Sequence, residues 1–101
     1  MLELRPGCEH CNTALPADSL DARICSYECT FCAACVALLE NVCPNCGGGF
    51  QARPIRPGVD RKNGNYLGND AAGTAVKHRP VDLAAHGLFN RELKFIPPHQ
   101  R

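Results

Sequence analysis

The placement of cysteines constrains this chain more than any other feature. All eight lie between positions 8 and 46 of 101 residues, spaced Cys8-x2-Cys11-x13-Cys25-x3-Cys29-x2-Cys32-x2-Cys35-x7-Cys43-x2-Cys46, and none follows. A chain of this length is at most one ordinary domain, and its first half is too short to be held by hydrophobic burial alone, so a staple is expected. Disulfides would serve in an exported protein, but the start MLELRPGCEH has no basic stretch leading into an apolar one. No run approaches the roughly 18 apolar residues that a membrane-spanning helix needs. The expectation is a cytoplasmic chain without membrane contact, whose thiols are reduced and free to bind metal.

Two residues between cysteines let both sulfurs reach one ion about 2.3 Å away, and three such pairs are hard to explain as a redox motif. Eight thiolates make two four-sulfur sites, for which structural zinc is the first expectation, as two ions. An iron–sulfur cluster is the main rival, because Cys29-x2-Cys32-x2-Cys35 before a Cys-Pro step echoes a ferredoxin run; seven residues precede Cys43 where that run has three. His10, inside the first pair, is a spare ligand candidate that eight thiolates leave as an outward polar side chain.

Local patterns supply a scaffold. Leu2 and Leu4 alternate with charged neighbours like a short edge strand that could pair with Phe50 to Ile55, where Pro54 keeps the partner at an edge. Leu15 and Leu20 are the expected inward anchors of a turn-rich stretch, and Ala22 to Phe31 reads as a hairpin bending at Ser26 to Glu28. The run CAACVALLEN predicts a helix over 33–41 with Val36, Leu39 and Val42 facing the core. Such a helix decides the ligand partition. At about 1.5 Å per residue it separates Cys35 from Cys43 by about 10 Å or more, too far for one ion. Cys8, Cys11, Cys32 and Cys35 then form site one, and Cys25, Cys29, Cys43 and Cys46 form site two; if 33–41 were a loop, a sequential split would be open.

Pair, single, single, pair, pair with interleaved ligands is the RING-finger order, and CSYECTFCAACV…CPNC resembles the heart of a RING finger with Cys29 where a histidine usually stands. The resemblance implies a small metal-stabilised α+β fold, a cross-brace treble clef of knuckle, β-hairpin and one short helix around two zinc ions. The opening MLELRP and the run ARICSYECTFCAAC…CPNCGG…RPIRP are similar to a small family of bacterial proteins of unknown function, over about residues 1–57. RING fingers dock a ubiquitin-conjugating enzyme through an apolar residue between the first two ligands, and often an arginine follows the last. Here those places hold Glu9, His10 and Gly47, which leaves ubiquitin-ligase activity among the least favoured readings.

Residues 58–101 read as a flexible basic tail, with a short helix over 82–94 capped by Asp82 and bearing Leu83, Leu88, Phe89 and Leu93 on a loose face. Charge separates the halves: residues 1–50 carry two basic and six acidic side chains, net −4, and residues 51–101 carry nine basic and four acidic, net +5. Eight thiolates and two zinc ions make the first half more acidic still, which argues against the cysteine module as a phosphate-binding surface. Catalytic zinc needs an open position and nucleophilic catalysis a free thiolate, so no enzyme is expected. The reading is a binuclear zinc-binding RING-like module over 1–57 that acts in protein interaction, around Leu38, Val42 and Pro44, with an unidentified protein partner. The alternative is a nucleic-acid-associated zinc protein gripping through Arg53, Arg56, Arg61, Lys62, Lys77, Arg79, Arg91 and Lys94. A zinc reservoir or sensor ranks behind both. His78, His86 and His99 are expected to be solvated.

Overall fold

A computed structural model describes all residues from Met1 to Arg101. Three short strands form one antiparallel sheet in the order β2-β1-β3, with β1 at Ala22–Ile24, β2 at Thr30–Cys32 and β3 at Gln51–Ala52. Helix α1, Ala33–Leu38, follows β2 without a break, and helix α2, Leu83–Leu93, and a 3-10 turn, Pro98–Gln100, lie in the second half. It is a small α+β fold.

The hairpin forms where β-favouring residues flank a tight bend. Ala22 faces Cys32 and Ile24 faces Thr30, while the Glu28 amide donates to the Cys25 carbonyl at 3.0 Å. Glu28 takes the left-handed conformation at φ 68°, and its carbonyl accepts from the Thr30 hydroxyl at 2.9 Å, a local bond that supports a backbone state unusual for a residue with a Cβ.

Helix α1 is shorter than expected. Glu40 and Asn41 both have positive φ, 55° and 57°, so the chain unwinds after Leu39, and the Asn41 side chain is free to accept from the Phe50 amide at 2.9 Å. Leu39 and Val42 are fully buried and Val36 packs against the core, as the periodicity predicts. Leu15 is buried as well, whereas Leu20 is 84% exposed and anchors nothing. The expected pairing of Leu2–Leu4 with the Phe50 region does not form. Gln51–Ala52 pairs with β1 instead, and the Leu2 and Leu4 carbonyls accept from the Arg56 guanidinium and the Gly73 amide.

The core joins Leu15, Ala22, Phe31, Leu39 and Phe50 to six cysteines. Phe31 and Phe50 meet edge-to-face with centroids 5.4 Å apart, bracing β2 against the loop that leads into β3.

The second half, expected as a flexible tail, holds a helix and a 3-10 turn and hydrogen-bonds to the first. Its helix forms at the expected place, capped by Asp82, whose carboxylate accepts from the Ala84 and Ala85 amides at 3.1 Å each. The helix buries its polar residues His86 and Asn90 against the cysteine module and leaves Leu83, Leu88 and Phe89 exposed. No helix is long and apolar enough to cross a membrane.

Candidate metal centres

Two of the cysteine pairs are built on the same turn. In the first, the Asn12 amide donates back to the Cys8 carbonyl and the Cys8 amide donates forward to the Thr13 carbonyl, both at 2.9 Å. In the second, the Gly47 amide donates to the Cys43 carbonyl and the Cys43 amide to the Gly48 carbonyl, both at 2.8 Å. The fifth residue of each turn is left-handed, Asn12 at φ 62° and Gly47 at φ 78°. Asn and Gly are the residues that tolerate this conformation, so the two knuckles arise from local sequence.

The knuckles do not pair with the cysteines nearest in sequence. The sulfurs of Cys8, Cys11, Cys32 and Cys35 all lie within 4.8 Å of one another, and those of Cys25, Cys43 and Cys46 do likewise. The Cys11 and Cys32 sulfurs are 3.8 Å apart. Four sulfurs about 2.3 Å from a tetrahedral ion stand about 3.8 Å from one another, so the first cluster has the size of a closed four-thiolate site. Site two is less complete. Cys29, expected as its fourth member, lies outside the mutual set; it is buried beside Cys25, and its sulfur accepts from the Asn45 side-chain amide at 3.4 Å.

Backbone amides aim at the sulfurs of the second cluster. Tyr27 N–H donates to Cys25 Sγ and Gly48 N–H to Cys46 Sγ, each at 3.3 Å, which favours the thiolate. Burial works against it, pushing the Cys29, Cys32, Cys35 and Cys43 thiols above their ordinary value. Cys11, exposed and with the Thr13 hydroxyl 3.1 Å from its sulfur, is lowered to about 6. Sulfurs gathered in a low-dielectric core repel one another as thiolates, and a divalent cation inverts that balance by taking thiolates as ligands.

Several polar residues have tasks that sequence patterns did not reveal. Glu9, inside the first knuckle, is 2% exposed; its carboxylate accepts from the Thr30 amide at 2.7 Å and pairs with Arg5 at 2.8 Å. It ties the knuckle to β2 and presents no docking surface. His10 is half-buried, and its Nδ1 accepts from the Val81 amide at 2.8 Å. Arg53 and Arg56, grouped above with the cations free to meet nucleic acid, are internal clamps. Buried Arg53 donates to the Arg5, Leu15 and Pro16 carbonyls, and Arg56 to those of Leu2 and Asp70. His86, expected to be solvated, is buried and donates from Nε2 to the Val42 carbonyl at 2.8 Å. Val42 has no exposed surface, so it drops out of the interaction face expected around it. Pro44 lines a cleft of about 330 Å³ closed on its other side by residues 79–89, and Leu38 remains exposed.

An uncharacterized protein of Rhizobium meliloti (strain 1021) is 59% identical over 58 residues, which cover 56% of this chain and 69% of that protein. No solved structure matches. Residues 1–56, the span that holds every cysteine and the whole sheet, match the family described as protein of unknown function (DUF1272), and the chain belongs to that family.

Proposed function

We propose that the chain is a zinc-stabilised, RING-like cross-brace treble clef acting as a cytoplasmic protein-interaction module without catalytic activity. One zinc ion is held by Cys8, Cys11, Cys32 and Cys35, and a second by Cys25, Cys29, Cys43 and Cys46, with the Cys29 sulfur closing onto it from beside Asn45. The observation that carries this reading is the meeting of the first knuckle with Cys32 and Cys35, two stretches more than twenty residues apart, at tetrahedral sulfur spacing. Thiolate-only donor sets suit zinc, and four of them leave no coordination position for water or substrate. An interaction role follows from rigidity, because loops pinned by metal lose little freedom when a partner binds.

Native mass spectrometry of the intact chain tests the proposal. Two zinc ions are expected, and their removal by a chelator should abolish the far-ultraviolet signature of the fold, since metal affinity of this type amounts to about 10–16 kcal/mol per ion. One ion, iron in place of zinc, or a metal-free chain that stays folded would each defeat it.

A further inference from the structure

A knuckle that turns its amides inward toward sulfur leaves carbonyls on its outer side, and each of these needs a donor. For the first knuckle, and for the residues that flank the second on either side, that donor comes from the C-terminal segment, which lies beyond the span matched by the family. At the first, the Arg79 amide donates to the Glu9 carbonyl at 2.8 Å, His78 Nε2 lies 3.1 Å from the His10 carbonyl, and the Val81 amide reaches His10 Nδ1. At the second, His86 donates to the Val42 carbonyl, and one guanidinium nitrogen of Arg101 donates to both the Asn41 carbonyl at 2.9 Å and the Gly47 carbonyl at 3.1 Å.

Steric fit repeats the pattern at the second knuckle. A Cβ added at Gly47 would stand 3.3 Å from Phe89 and 3.4 Å from Leu93, and one at Gly49 would come 2.7 Å from Pro98. The CPNCGGG run therefore leaves room for another segment, in addition to allowing a left-handed turn. Pro98 and His99 also wall a cleft of about 460 Å³ that Cys25 lines, so the same segment borders one approach to site two.

We propose that residues 78–101 are a two-point strap in which His78–Val81 position the Cys8–Cys11 knuckle and His86 with Arg101 position the Cys43–Cys46 knuckle, each point setting how tightly one metal ion is held. The inference rests on the metal reading of both clusters. His86 and Arg101 are positioning residues: they touch backbone carbonyls and no sulfur. The two points are independent, because they grip different loops through different donors.

The test is site-resolved metal loss from the full chain. Zinc-loaded protein, its two ions first counted by native mass spectrometry, is challenged with a chelator, and cysteines that lose metal are alkylated over time and located by peptide mapping. His86→Gln combined with Arg101→Ala should speed exposure of Cys43 and Cys46 about tenfold, as expected for losing charge-assisted bonds, and leave Cys8 and Cys11 at the wild-type rate. His10→Phe should do the converse. Arg101→Lys alone, which keeps the cation and loses the reach to two carbonyls, should give a smaller acceleration at Cys43 and Cys46 only, and it carries the test where the double variant loses ions at the outset. The strap is refuted when any of the three variants leaves the rate at its own knuckle unchanged, or when any of them speeds both clusters together. Wild-type protein without two ions would instead sink the metal reading on which the strap rests.

Discussion

The two halves of this molecule are held by opposite means. Residues 1–56 fold around a core in which cysteines outnumber the large apolar side chains, with Leu39 and the Phe31–Phe50 pair filling what the sulfurs leave. Residues 58–101 add only Val81 to the edge of that core; they attach through polar bonds, several of them to carbonyls of the other half, and through the Lys77–Glu3, Arg79–Glu9 and Lys94–Glu40 ion pairs, and turn much of their apolar surface to solvent. Coordination chemistry can define a module too small for burial, and a module so defined offers a ring of outward carbonyls on which a polar segment can settle.

The sharpest way to break this comparison is pH. If the sulfurs held no metal in the folded chain, burial would keep four thiols above their ordinary value of 9.0, and their contribution to stability would be full below about pH 9 and lost as pH rises through the raised values. Cys11 runs the other way, its contribution being lost as pH falls through about 6, but it is exposed and carries little weight. With metal bound the thiols are already deprotonated and protons compete with the ion, so stability should fall on acidification. Thermal melts of the zinc-loaded chain from pH 5 to 10 should show stability falling toward the acid end; stability that falls only above about pH 9 would mean the sulfurs hold no metal.

A smaller effect separates the clamps within the first half from the strap of the second. Arg53→Ala leaves the Arg5 and Leu15 carbonyls without a donor, takes from Pro16 one of its two, and opens space under the Pro16 turn, and should cost about 3 kcal/mol in denaturant unfolding. Arg53→Lys should recover only part, because an ammonium cannot span the fork. Smallest of all, Asp82→Ala removes the α2 cap and should cost about 1 kcal/mol, seen as faster amide exchange at Ala84 and Ala85 with both ions retained. A loss of metal in that variant would mean the halves are not separable.

How far the sequence could be read follows the same division. The hairpin, its bend, the buried face of α1 and the crossing of the knuckles were legible because each rests on local residue preference or on the reach of a short helix. The Asp82-capped helix was legible too. Leu20 was misplaced because a turn-rich stretch has no period to say which of its apolar residues turn inward, and the strand expected at Leu2–Leu4 failed because its carbonyls go to Arg56 and Gly73, partners more than fifty residues away. The docking of residues 78–101 left no apolar period to find. Its sequence traces are the opposite net charges of the two halves, which meet in the Arg79–Glu9 and Lys94–Glu40 pairs, and the glycine run after Cys46, which reads equally well as a turn signal.

The crossed partition also bears on how the protein is made. No stretch shorter than residues 8–35 contains the whole of the first cluster, and the second is incomplete until Cys46. A chain emerging from the ribosome therefore displays Cys8, Cys11, Cys25 and Cys29 before Cys32, Cys35, Cys43 and Cys46 exist, and on the metal reading an ion captured by those four would have to change hands before the native arrangement can close.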